Sequence, residues 1–168
     1  KEIVLAQGED FQKVLKYIEE NVEKTVADLQ ELCRQPSIST TNVGIKEMAN
    51  LLHSRIERAG LSSSINETAG NPILTAKIEG ASEKTLLFYN HYDVQPADPE
   101  SEWASPPFEA NIIDEHVVAR GSTDNKGNII SRLVAFEAFL AVRGEVPCNI
   151  KYIIEGEEEI GSPSLENF

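Results

Sequence analysis

Basic residues are scarce in this chain. Its 15 lysines and arginines stand against 28 aspartates and glutamates, for a formal net charge of -13 at pH 7. A field of that sign repels polyanions, which argues against nucleic acid and anionic membrane surfaces as partners. Cysteine is scarcer still. Cys33 and Cys148 lie far apart with no C-x-x-C spacing, which argues against a disulfide framework or a structural zinc site. Two buried free thiols, and so a reducing cytoplasmic setting, are expected. Long hydrophobic runs are missing: none approaches the roughly 18 residues that mark a membrane span. The opening KEIVLAQGED lacks the charged-then-apolar layout of a signal peptide.

What remains is an ordinary globular composition. The 168 residues are 40% hydrophobic, enough for one domain with a substantial core. Asp10 to Arg34 predicts one long helix, with Phe11, Val14, Leu15, Ile18, Val22, Leu29 and Leu32 at helical spacing. Pro36 breaks it. Ile45 to Ala59 predicts a second amphipathic helix, with Gly60 as its stop. Three strands follow, in SSSINE, ILTAKIEG and KTLLFYN, separated by AGNP and GASE turns. Thr85 to Tyr89 is apolar on both faces, as expected of a central strand. EANIID and HVVAR predict a hairpin, GSTDNKG opens a helix running to about Val142, and PCNIKYIIEG predicts a buried strand. This order predicts a mixed α/β sheet sandwiched between helices. Sites in such sheets form beyond the carboxyl ends of strands.

Three polar clusters fall at such positions. In HYD, His91 and Asp93 are two apart on an extended segment and so point the same way. A neutral imidazole binds Zn²⁺ well, and a carboxylate on its other nitrogen fixes its orientation. A self-satisfied polar loop is the competing reading. Asp124, in STDNKG, suits either a helix cap or a carboxylate bridging two ions. Lys126 reads as a solvated helix start. In EGEEEIGS, three glutamates crowd between a buried strand and a Gly-Ser turn. A solvated acidic run is the competing reading. Two adjacent carboxylates also suit metal-assisted hydrolysis: one holds the ion, and the other takes a proton from water whose pKa the ion lowers to about 7.

Together, NHYDVQPADP, ARGSTDNKG and IIEGEEEIGS resemble the signatures of the co-catalytic dinuclear zinc peptidases. That family includes carnosinase-type dipeptidases, glutamate carboxypeptidase, aminoacylase, and the acetylornithine and succinyl-diaminopimelate deacylases. WASPPF, Trp103 to Phe108, resembles its carnosinase-like and carboxypeptidase-like branch. The resemblance implies a three-layer α/β/α domain holding two divalent ions, Zn²⁺ foremost, with Mn²⁺ and Co²⁺ compatible with the same donors. It assigns His91, Asp124 and Glu159 as metal ligands, Asp124 as the bridge between ions, Asp93 as the acid orienting His91, and Glu158 as general base. A cis peptide is implied at Asp124–Asn125. Glu157 takes the free position of the motif and is expected at the surface.

The resemblance also implies an acidic ligand and a histidine beyond Phe168, and a separate lid domain that binds substrate and often forms a homodimer. Residues 1–168 are therefore expected to be the N-terminal portion of one catalytic domain, truncated, lacking the remaining strands and inactive alone. The expected substrates of the whole are dipeptides or C-terminal peptide residues. Alternatives are N-acyl amino acids, cleaved by a deacylase of the same family, and a non-catalytic binding domain. His53 and His116 read as structural or surface residues. Trp103 and Phe108 suit either a substrate entrance or loop packing.

Overall fold

The computed structural model describes residues 8–168. The absence of a signal-peptide layout was read mainly from residues 1–7, which lie outside the described residues. The chain folds as α1 (Glu9–Glu20), α2 (Val22–Arg34), α3 (Ile45–Arg58), β1 (Ser62–Asn66), β2 (Ile73–Ile78), β3 (Thr85–His91), β4 (Asn111–Ile113), β5 (His116–Val118), α4 (Lys126–Arg143) and β6 (Asn149–Glu155). No described helix is long and apolar enough to cross a membrane.

The predicted single helix over Asp10–Arg34 is two helices. The chain bends at Asn21, whose N–H donates to Ile18 O and whose Nδ2 donates to Tyr17 O. The apolar stripe continues through the bend, so periodicity alone does not reveal it. The hairpin and the later helix fall where the sequence predicts them.

Four strands form a mixed sheet in the order β1-β2-β6-β3, and β4 pairs with β5 separately. β1, β2 and β6 run antiparallel, while β3 and β6 run parallel. Helices α3 and α4 pack on the sheet, and α1 and α2 lie against α4. The core between them gathers Leu32, Met48, Leu52 and Ile56 with Leu74, Ile150, Tyr152, Ile154, Ile129 and Leu133. Phe88, Phe136 and Tyr152 pack their rings together there, with centroids 5.6 to 6.3 Å apart.

The sequence pattern predicts a central strand at Thr85–Tyr89. Among the described residues that place belongs to β6, and β3 is the outer strand, with Leu86, Leu87 and Tyr89 52%, 61% and 45% exposed. Apolarity on both faces records what a strand is built to touch, not which neighbours it has. The face carrying Ser62, Ser64, Lys77, Leu87, Tyr89 and Lys151 has no helix over it among the described residues. Of the two free thiols, Cys33 is fully buried and Cys148 only half-buried. Burial pushes the Cys33 thiol up to about 11, against a smaller downward pull from Lys126.

Candidate metal centre

Parallel pairing of β3 with β6 sets their carboxyl ends side by side, with His91 in register with Glu155. The loops that follow both strands therefore leave the sheet at one edge. The helix α4 joins them by a crossover, so its amino end returns to the same edge. This topology brings HYD, STDNKG and EGEEEIGS together.

One ligand atom each from His91, Asp124 and Glu159 lie within 4.8 Å of one another. His91 is buried, Glu159 half-buried and Asp124 exposed. His91 Nδ1 faces the Asp93 carbonyl at 3.1 Å and Asp93 Oδ1 at 3.4 Å. That leaves Nε2 pointing outward, 3.0 Å from Asp124 Oδ1 and 3.7 Å from Glu158 Oε2. Burial disfavours a charged imidazole, but the Asp93 hydrogen bonds and charge, with Glu158, outweigh it and raise the His91 pKa from 6.5 to about 9. The imidazole therefore holds a proton in the absence of an ion, and binding a cation must release it.

Asp93 is fully buried and does more than face His91. Its two carboxylate oxygens accept the N–H groups of Glu158 and Glu159, at 3.2 and 3.1 Å. One buried acid thus joins the histidine of one loop to the acidic turn of the other. The Asp124–Asn125 peptide is cis. The Asn125 side chain accepts a hydrogen bond from Asn90, itself the acceptor for Tyr152 OH and Arg132.

Glu157 departs from its expected surface position. It is 6% exposed, and its carboxylate accepts the N–H groups of Asn71 and Ser164, both at 3.1 Å. Gly70 lets the loop close over it, because any side chain there would overlap the Glu157 carboxylate. Glu157 therefore anchors the acidic turn from below. Glu155, which drew no attention in the sequence, is also buried and accepts from Tyr89 OH and Ser162 Oγ.

Lys126 likewise is not solvated. It is fully buried and donates to Leu32 O at 3.0 Å and Gln35 O at 2.8 Å, the carbonyls that end α2. Burial pushes its pKa down to about 8, which leaves it mostly charged at neutral pH. Replacing Lys126 with Met should strand both carbonyls and lower stability by roughly 2–3 kcal/mol in a urea titration. A loss under about 0.5 kcal/mol would show that they find other partners.

The remaining candidates lie apart from this group. His53 lies on α3, and His116 opens β5 with Nδ1 2.5 Å from Asp114 O. Trp103 packs its loop: Nε1 donates to Ala97 O at 3.0 Å, and the Arg120 guanidinium sits 5.0 Å from its ring centroid. Phe108 is half-buried.

Among the described residues, no lysine or arginine pairs with Asp93, Asp124, Glu158 or Glu159; His91 pairs with the first three of them. Four acids around one imidazole, offering carboxylate oxygens and a borderline imidazole nitrogen, fit one or two divalent cations.

The chain is similar in sequence and fold to known proteins. Residues 87–167 match the model of peptidase family M20/M25/M40. The chain is 43% identical over 96 residues, 56% of its length, to the Beta-Ala-His dipeptidase of Mus musculus. It superposes on an M20 family metallo-carboxypeptidase, Sso-CP2 from Sulfolobus solfataricus, with TM-score 0.82 and 45% identity over 85% of the chain. Human carnosine dipeptidase 1 gives TM-score 0.86 and 31% identity over 93% of the chain. The chain spans 20% of the length of the mouse relative, and 33% and 36% of the two solved chains. Residues 87–167 are thus similar to the M20 peptidase family, and the chain shares the mixed α/β fold of part of these solved chains.

Proposed function

We propose that the polypeptide represented by this chain is a metal-dependent hydrolase that cleaves amide bonds in dipeptides or at the carboxyl-terminal residue of peptides. One observation carries the reading: His91, Asp124 and Glu159 present ligand atoms within 4.8 Å of one another, with Glu158 Oε2 3.7 Å from His91 Nε2. Bound divalent ions, Zn²⁺ foremost, supply a more acidic water and polarise the scissile carbonyl. His91 Nε2 and the Asp124 and Glu159 carboxylates would hold these ions, with Asp124 as the carboxylate they would share.

The proton work belongs to Glu158. It takes a proton from the attacking water and returns it to the leaving amine. Asp93 keeps His91 Nδ1 occupied and holds the Glu158 and Glu159 backbone in place. Residues 1–168 act as the amino-terminal part of a single catalytic domain, and further ligands and substrate contacts come from beyond it. Relatives named for Beta-Ala-His and carnosine cleavage and for carboxypeptidase activity favour small peptides as substrates.

The test is a hydrolysis panel on the complete polypeptide, with dipeptides such as β-Ala-His set against N-acyl amino acids. Dipeptide cleavage should vanish with a chelator and return with Zn²⁺, Mn²⁺ or Co²⁺. Cleavage confined to N-acyl amino acids identifies a deacylase instead, and chelator-insensitive cleavage removes the metal reading.

A further inference from the structure

The strand end that carries His91 and Asp93 continues the same alternation one step further. Residues 91, 93 and 95 project to one side of an extended segment, and the third is Gln95. Its Nε2 donates to both the main-chain carbonyl and Oε2 of Glu159, each at 3.0 Å. Asp93, two residues earlier, accepts the Glu159 N–H at 3.1 Å. Glu159 is thus gripped at its N–H, its C=O and one carboxylate oxygen by two side chains of a single segment. Its other carboxylate oxygen has no hydrogen-bond partner among the described residues.

The segment making this grip is itself fixed. Val94 N–H donates to Ser37 O at 2.9 Å. Arg120 Nη2 donates to Pro96 O at 3.0 Å, and Trp103 Nε1 to Ala97 O at 3.0 Å. The Arg120 guanidinium stacks over Trp103 behind them. Gln95 is exposed, yet its backbone is clamped on both sides, so its amide reaches Glu159 from a fixed base. A free glutamate carboxylate rotates about its last torsion; one with Oε2 engaged presents Oε1 in a fixed direction.

We propose that Gln95 is a positioning residue for the metal centre: its amide holds Oε2 of Glu159 so that Oε1 faces the ion. This rests on the proposed metal-dependent reading. It is the outer hydrogen bond to a ligating carboxylate, whose loss typically costs 10–100-fold in metal affinity. It also connects Trp103 and Arg120 to the centre through the clamp.

The experiment compares Gln95→Leu with wild type in the complete polypeptide, stripped of metal and titrated with Co²⁺. Visible absorption and competition with a chelator report each bound ion. The variant should weaken one ion 10–100-fold and alter its cobalt spectrum, leaving the metal-free melting temperature within about 1 °C of wild type. Unchanged cobalt affinity and spectrum overturn the positioning role and leave the hydrolase reading intact. A marked fall in metal-free melting temperature overturns it also, by showing that Gln95 serves the fold. If wild type binds no cobalt, the metal reading fails, and this inference fails with it.

Discussion

Glu158→Gln in the complete polypeptide should lower turnover at least 10²-fold and up to about 10⁴-fold, the range for losing a positioned general base. Metal content and melting temperature should stay near wild type. The division follows from where the side chain stands. Glu158 is 42% exposed, so no packing is lost when its carboxylate becomes an amide. Its place in the turn is held by its N–H on Asp93 Oδ1, a main-chain contact that the substitution does not touch. Glutamine keeps the shape but cannot take a proton at neutral pH. If kcat stays within tenfold of wild type with metal bound, the proton must move by another route, and the role assigned to Glu158 is wrong. The neighbours have different duties. Glu157 is locked beneath the turn by two N–H groups, and Glu159 offers a ligand atom to the cluster. Three consecutive like charges are tolerable because backbone donors engage the first and the other two flank a centre that fits cations.

Much of this was legible from residue order. PCNIKYIIEG predicts a buried strand, and β6 is that strand. His91 and Asp124 fall at polar breaks beside regular elements, whereas the choice of Glu159 among three glutamates rests on the resemblance to the zinc peptidases. The sequence was least informative where the decisive partner is distant. Lys126 looks solvated because lysine at a helix start usually is, and its acceptors lie 91 and 94 residues away on α2. Glu157 looks exposed for the same reason: the amide of Asn71 that engages it is 86 residues away. The split at Asn21 escaped because one apolar stripe serves both helices. Gln95 was within reach, since the alternation linking His91 to Asp93 extends to it. Glutamine, however, is not a common ligand type, so the pattern by itself does not mark it.

Arg55→Leu should be the most damaging single change to the fold, costing about 3–5 kcal/mol, the usual penalty for removing one partner of a buried ion pair. Arg55 on α3 is 1% exposed and joins three helices. Its Nη1 and Nη2 donate to the two oxygens of Glu137 on α4, at 2.9 and 3.1 Å. Its Nε donates to Asp28 Oδ2 on α2 at 3.0 Å. Asp28 and Glu137 are only 15% and 16% exposed, so leucine would leave two poorly solvated carboxylates facing each other. Lys24 could compensate in part, since it reaches Asp28 at 3.0 Å and Glu137 at 3.8 Å, but it is 57% exposed and worth less. Much of the cost should come from the stranded charge rather than from the lost contact. Adding Glu137→Gln to Arg55→Leu should therefore recover stability instead of losing more, a non-additive result that urea unfolding of both variants would reveal. A loss below about 1 kcal/mol in the single variant, or strict additivity in the double, would show that the helices are held by their apolar faces alone. The clasp holds α2 and α3 to α4, the helix that begins at Lys126, two residues after Asp124.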